Sequence, residues 1–336
     1  MDLTDRVRLH RDSAAFGKLI GNSPAFRRAI EVVSVAAISD ATVLVSGETG
    51  TGKELIARAL HYLSERGTHP FVAVNCGSLT DTLLEDELFG HERGAFTDAQ
   101  HRRPGLIAQA AKGTLFLDEI DTLSPHGQVA LLRILQDRVY RPLGSQQEYY
   151  ADVRFVTATN ASIEDLVESN SFRADLYYRI SVFEISLPPL RERREDVLEL
   201  AHHFLVKHAP DDCPVPTINA AVEATLLAYQ WPGNVRELEN SMIRAARLCG
   251  AGSIDVEHLA LPSRRGIEPL STPKAGTFQS LKTDTINRFE RAYLQQLMRD
   301  ASGNVTRAAQ IAGKDRRDLG KLLKKHGLAG SSRSAG

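Results

Sequence analysis

Three cysteines in 336 residues, Cys76, Cys213 and Cys249, are widely spaced and form no CxxC pair. Neither a disulfide framework nor a zinc site is indicated, and such cysteines read as small buried hydrophobes in a reducing compartment. The chain opens with no charged-then-apolar leader and holds no apolar run of bilayer length, which argues against export or membrane insertion and for a cytoplasmic location. It also lacks net charge, at −1 overall, although that balance hides an uneven distribution. Charged residues at 25% and hydrophobic residues at 42% are ordinary for a globular protein. Such a length makes one large domain or two to three modest ones, with ample chain for a core.

What is present is organised around Gly47-Glu48-Thr49-Gly50-Thr51-Gly52-Lys53-Glu54. An apolar run, Ala41 to Val45, precedes this stretch, and Leu55 to Leu60 follows it with helical spacing. Strand, glycine-rich turn and helix in that order form the context in which a phosphate-binding loop works. Glycines let backbone N–H groups turn inward around phosphate oxygens, and the helix N-terminus adds its positive dipole end. Lys53 is placed to reach the outer phosphates. Glu54 stands where phosphate loops generally carry a Ser or Thr that ligates magnesium, so the metal must be held mainly elsewhere.

Sixty-five positions after Lys53, the buried run Gly113 to Leu117 ends in Asp118-Glu119. Adjacent carboxylates at the C-terminal end of a parallel strand fall beside the phosphate loop of a nucleotide-binding sheet. There, one can hold magnesium and the other can polarise an attacking water. Pro70 to Cys76 reads as a short buried strand ending in polar residues, and Val153 to Ala158 as another, closing on Thr159-Asn160. That pair fits a contact to a γ-phosphate or its water and equally an ordinary strand-ending turn. Arg173 and Arg179 lie six residues apart. Arginine suits phosphoryl-transfer charge because its planar fork keeps its proton, and a solvated surface pair is the plain alternative.

Elsewhere in this portion, Ser23-Pro24 reads as the start of a helix, and Leu79 to Phe89 as an acidic helix. Phe96 stands in a short polar loop, Gly94-Ala95-Phe96-Thr97-Asp98-Ala99, where a core residue is not expected. It either folds back or is presented to a partner. Strand–helix alternation up to Leu190 predicts a parallel sheet with helices on both faces. Residues 192–261 read as helices only, covering one edge. Among them Asn234 is expected to open a helix, with Glu237 completing a capping box. Arg236 in that first turn opposes the dipole, so a nearby anion would explain its presence.

Residues 262–277 hold three prolines and two glycines and read as a linker. Residues 278–336 carry twelve Lys or Arg against five Asp or Glu. A helix is expected around Thr285 to Asp300, then two short helices broken at Gly313, the second studded with Lys and Arg. That is the pattern of a helix-turn-helix with a recognition helix, the bland alternative being a solvated basic helix. Gly320 lowers the propensity of that second helix.

Together these motifs resemble one family, the bacterial enhancer-binding proteins, AAA+ ATPases that activate the sigma-54 form of RNA polymerase. The resemblance covers residues 17–261 for the ATPase and 278–328 for a Fis-type DNA-binding domain. It implies an α/β nucleotide-binding subdomain over 17–190, a helical lid over 191–261, and short flanking segments at 1–16 and 329–336. Gly47 to Glu54 resembles the family's Walker A, Glu54 included. Asp118 and Glu119 resemble its Walker B pair, and Asn75 the asparagine that contacts the catalytic glutamate. Thr159-Asn160 falls at sensor I, Arg173 and Arg179 at the arginine fingers, and Arg236 at sensor II.

Gly94 to Ala99 resembles the GAFTGA loop that touches sigma-54, and departs from it at Asp98, where the family most often has glycine. Asp tolerates left-handed backbone, but it adds a charge and a Cβ beside a contact surface. The implied ligands are ATP and Mg2+. The implied partners are sigma-54 polymerase, upstream DNA and further copies of the chain. These would form a ring, most simply a hexamer, with the DNA-binding domains paired. DNA contacts are expected from Thr306, Arg307, Lys314, Arg316, Arg317, Lys321, Lys324 and Lys325. Only about 16 residues precede the ATPase region, so control is expected from a separate protein in trans.

Overall fold

The computed structural model describes residues 19–78, 81–97, 99–208, 214–249, 252–261 and 304–326, with isolated positions between 287 and 301. The expected segments at 1–16, 262–277 and 329–336 lie outside the described residues, as does most of the helix expected around Thr285 to Asp300.

Five short apolar runs form the central sheet: β1 (Val43–Ser46), β2 (Phe71–Asn75), β3 (Thr114–Asp118), β4 (Arg154–Thr159) and β5 (Phe183–Ser186). Their order is β2-β3-β4-β1-β5, and every pairing is parallel. Because successive side chains leave a strand on opposite sides, each run feeds two cores. Val43, Val45, Phe116, Val156 and Ile185 point to one, and Leu44, Leu115, Leu117 and Phe155 to the other.

The first core is closed by α1 (Pro24–Ala37) and α2 (Lys53–Tyr62), through Phe26, Val33, Ile56 and Leu60. As expected, Ser23 caps α1, its hydroxyl accepting from the Phe26 amide, with Pro24 in the first turn. The second core is closed by α3 (Asp81–Phe89), α4 (Pro125–Asp137), α5 (Ile163–Glu168) and α6 (Ala174–Ile180). Both β1–α2 and β3–α4 connections put their turns at the same end of the sheet, the carboxyl ends of the strands. Parallel strands with crossover helices collect ligand sites there.

A third core belongs to the lid, formed by α7 (Glu195–His208), α8 (Ala220–Ala228) and α9 (Asn234–Leu248) around Leu200, Phe204, Trp231, Leu238 and Met242. The lid is not helical throughout. Thr217–Ile218 pairs in parallel with Ser253–Ile254, two-residue strands too short to leave a periodic signal.

Residues 262–336 form a second compact unit. Its described helices are α10 (Val305–Ile311) and α11 (Arg316–Lys325), joined through Gly313, which sits at φ +60. Ala308, Ala309, Leu319 and Leu323 share a small core with Leu294, Leu297 and Ala301. Asn304 and Asp315 cap the two helices. No helix among the described residues is long and apolar enough to cross a membrane.

Candidate nucleotide site

The loop between β1 and α2 wraps around its own lysine. Gly50 and Gly52 sit at φ +81 and +106, backbone that other residues adopt only with strain. Lys53 is buried at 8% exposure, and its ammonium donates to the carbonyls of Gly47 (2.7 Å) and Glu48 (3.2 Å). Desolvation pulls its pKa down, against the pull of Asp118, Asp121 and Glu119 in the other direction. The loop is thus a desolvated cation within a ring of backbone, the arrangement that receives a phosphate. Glu54 faces outward and pairs with Arg58 at 2.7 Å.

Pairing of β2 with β3 sets Asn75 directly beside Asp118. The chain then turns at Glu119, which adopts left-handed backbone at φ +54. Asp118 is half buried, and desolvation raises its pKa, only partly offset by the Glu119 amide donating to it at 2.9 Å and by Lys53. A carboxylate short of solvent beside the phosphate loop is a fitting oxygen ligand for a hard cation. Among the described residues no cluster of three or more His, Cys, Asp or Glu could cage a metal unaided.

The Glu119 and Asn75 side chains converge over Gly77. A Cβ there would stand 2.6 Å from Glu119 Oε2 and 3.2 Å from Asn75 Oδ1. Thr159 donates to Asp121 at 2.8 Å, tying β4 to the carboxylate turn. Asn160 reaches Thr49 of the phosphate loop at 3.4 Å. Nearby Cys76 is buried, and desolvation pushes its thiol up to about 12, so it is an inert filler.

The lid roofs this loop. Glu48 takes both guanidinium nitrogens of Arg191, at 2.7 and 2.8 Å. Arg193, buried beneath Phe26, donates to the Thr51 carbonyl. The amides of Val235 and Arg236 donate to the Gly50 carbonyl at 3.0 and 3.3 Å, and a Cβ on Gly50 would meet the Gly233 carbonyl at 2.4 Å.

Here one expectation is corrected. Asn234 is the first residue of α9 but does not cap it; its φ is +53 and its side chain leaves the helix. It accepts from the Leu190 amide at 2.8 Å and donates to Glu48 and the Thr49 carbonyl, each at 3.1 Å. Glu237 reaches back instead to the Gly233 amide at 2.8 Å, so the reciprocal box is replaced by a bridge to the phosphate loop. Arg236 lies close enough to Lys53 to depress its pKa further, a second positive charge over the loop.

An open cleft of about 750 Å³ begins at Gly47, Glu48 and Asn160 and runs past Ser186 and Arg191. Lys53, Asp118 and Glu119 do not line it, so it is the shoulder of the phosphate loop rather than its centre.

Two expected residues stay apart from this cluster. Arg173 is exposed and forked onto Asp175 at 2.7 and 3.0 Å. Arg179 donates to the Leu135 carbonyl at 2.9 and 3.1 Å. Within one chain neither is bonded to the phosphate loop.

The Gly94–Ala99 loop is closed by the Gly94 amide donating to the Ala99 carbonyl at 2.8 Å, with Phe96 45% exposed at its tip. Asp98 lies outside the described residues. In the second unit Thr306, Arg307, Lys314, Arg316, Arg317, Lys321, Lys324 and Lys325 are all exposed. Lys325 is taken up by Glu290 at 2.9 Å and Lys321 by Asp318 at 3.3 Å.

Residues 19–186 match the sigma-54 interaction domain, and residues 191–273 the AAA+ ATPase lid domain. The chain belongs to the sigma-54 activator family of AAA+ ATPases. It is 42% identical over 317 residues to the regulatory protein AtoC of Escherichia coli K12, covering 93% of this chain and 68% of that one. To the transcriptional regulatory protein ZraR of Salmonella typhimurium it is 43% identical over 308 residues, 91% of this chain and 68% of the relative. The crystal structure of NtrX from Brucella abortus in complex with ATP superposes with a TM-score of 0.68 at 29% identity, over 97% of this chain and 72% of that one. Family membership supports ATPase activity in general terms, within a P-loop fold in which the sites above occupy the carboxyl ends of the strands.

Proposed function

We propose that the protein is an ATP-driven activator of sigma-54 RNA polymerase, which binds upstream DNA and couples hydrolysis in a ring to remodelling of the closed promoter complex. The observation that carries this reading is the pairing of Asn75 with Asp118 on adjacent strands, beside a desolvated Lys53 and a carboxylate turn at Glu119. Lys53 and the amides of Gly47 to Gly52 receive the β- and γ-phosphates. Asp118 holds the magnesium, which when bound supplies charge neutralisation at the phosphate oxygens. Glu119 takes the proton of the attacking water, with Asn75 holding that carboxylate until nucleotide is in place. Asn160 faces the γ-phosphate, and Arg236 carries nucleotide state into the lid.

Arg173 and Arg179 act across a subunit boundary on the neighbour's nucleotide. Their separation from the chain's own loop fits this role, because an arginine finger stabilises transition-state charge only when it reaches the transferring phosphoryl group. Gly94 to Ala99 is the sigma-54 contact, with Phe96 at its centre. The exposed basic residues of α10 and α11 contact DNA phosphates and a few base edges, in a paired arrangement.

E119Q is expected to retain ATP and abolish turnover, measured as nucleotide retention against phosphate release; retained hydrolysis overturns the assignment. A second reading is carried by Asp98 in the loop sequence: a regulator of other promoters, in which ATP drives assembly and the sigma-54 contact has been lost. Transcription in vitro with sigma-54 polymerase separates the two. Activity of the native chain supports the first, and activity only in D98G supports the second.

A further inference from the structure

The Gly94–Ala99 loop has an aromatic tip that is not left to solvent alone. His91, in the stem of the loop, is buried, and its ring stands edge-on to Phe96 with centroids 4.9 Å apart and planes at 69°. Edge-to-face is the geometry that matches the positive ring edge to the negative face. The His91 ring is itself fixed, since its Nδ1–H donates to the carboxylate of Asp86, also buried, at 2.5 Å. Asp86 belongs to α3, and Leu84 of the same helix closes on Gly127 in the first turn of α4 so tightly that a Cβ there would stand 2.8 Å from it. That turn begins at Ser124, five residues beyond Glu119. The stem is braced independently: the Glu92 amide donates to Leu143 at 2.9 Å and the Leu143 amide to Gly90 at 2.8 Å.

Neither Asp86 nor His91 touches the nucleotide cluster, and neither is needed to close the loop, which the Gly94–Ala99 bond does. We propose that His91 is the positioning residue of the Phe96 tip, its ring held by Asp86 of α3, so that the aromatic offered to the partner is seated on the body of the subdomain. The role in partner contact rests on the reading of this loop as the sigma-54 contact; the seating of Phe96 on His91 does not.

The test places a reporter at the tip. Trp231 is the chain's single tryptophan and is buried, so in F96W a quencher such as acrylamide reads mainly the new indole. An edge-on pair of this kind holds the seat by a factor of about two to ten. In the full chain the quenching constant is therefore expected to rise about threefold from F96W to F96W/H91A, with F96W/D86N in between. With Phe96 intact, H91A is expected to lower sigma-54 retention about tenfold at saturating ATP and D86N by less, the conservative change recovering part of the loss.

Equal quenching in F96W, F96W/H91A and F96W/D86N overturns the proposal, whatever sigma-54 does. So does a rise in quenching with sigma-54 retention unchanged, because the seat then positions nothing. If H91A fails to fold, D86N decides on both readouts alone. A native chain that retains no sigma-54 contradicts the proposed function, while the quenching series still judges the seat.

Discussion

The phosphate loop and the Arg173–Arg179 segment lie in the same α/β subdomain, yet they are finished to different degrees. Around the loop, Glu48, Thr49, Gly50 and Thr51 are each bonded to a residue between Arg191 and Arg236, and Lys53 is buried among its own carbonyls. The arginines have only local company: Arg173 is forked on exposed Asp175, and Arg179 rests on a helix-end carbonyl. Exposed ion pairs of the first kind hold weakly, at about 0–1 kcal/mol. The difference separates a loop whose partners all lie within the chain from two arginines that, in the proposed function, act on a neighbour's nucleotide.

The largest expected effect tests that division. R173A and R179A are each expected to cut turnover of the assembled protein by about 10³-fold, the usual worth of an arginine finger, with ATP affinity changed by less than about threefold. Isothermal titration beside phosphate release makes the distinction, and a matching loss of affinity would place the arginines at their own chain's nucleotide. N234A strikes the other region. It removes three hydrogen bonds to Leu190, Glu48 and Thr49 and leaves alanine at φ +53, so a loss of about 3 kcal/mol in denaturant unfolding is expected.

D118N sharpens the comparison through pH. Because folding raises the Asp118 pKa, its contribution is present below the ordinary value of 3.8 and lost as pH rises through the folded value. The ionised carboxylate is therefore a cost at neutral pH. D118N should melt higher than the parent at pH 7 while losing turnover, and the gain should vanish as pH falls toward 3.8. The smallest effect lies in the second unit. A Cβ on Gly320 meets nothing within 4 Å, so G320A should stabilise α11 by up to ~1 kcal/mol in thermal unfolding.

The parallel sheet, the phosphate loop and the carboxylate strand were legible because their signals are local: glycines before a helix, and acids at the end of an apolar run. The lid clamp was not. Asn234 carries a helix-start pattern, but its partner Glu48 is 186 residues away, and left-handed backbone turns the side chain toward it. Asp196 holds the Ser23 amide and hydroxyl across 173 residues. Arg154 reads as one polar residue in a strand, yet it is buried and donates to the carbonyls of Ala36, Ala37 and Leu60, closing two helix C-termini at once. Burial lowers its pKa to about 10. Gly77 carried a faint signal, a glycine just after a strand ending in Asn75, whose meaning appears only when Glu119 arrives over it. Such residues have no periodicity to betray them, because their partners are set by topology.

The proposed account rests on hydrolysis being completed by a neighbour's guanidinium. The direct measurement mixes E119Q, which keeps its arginines, with R179A, which keeps its carboxylate, and follows phosphate release. Each variant alone should be inactive. The mixture should recover turnover at junctions where intact arginines face an intact Glu119, on the order of a quarter of the native rate if subunits mix at random in equal amounts and each junction acts independently. A mixture that forms joint assemblies yet stays as inactive as its components would contradict the account.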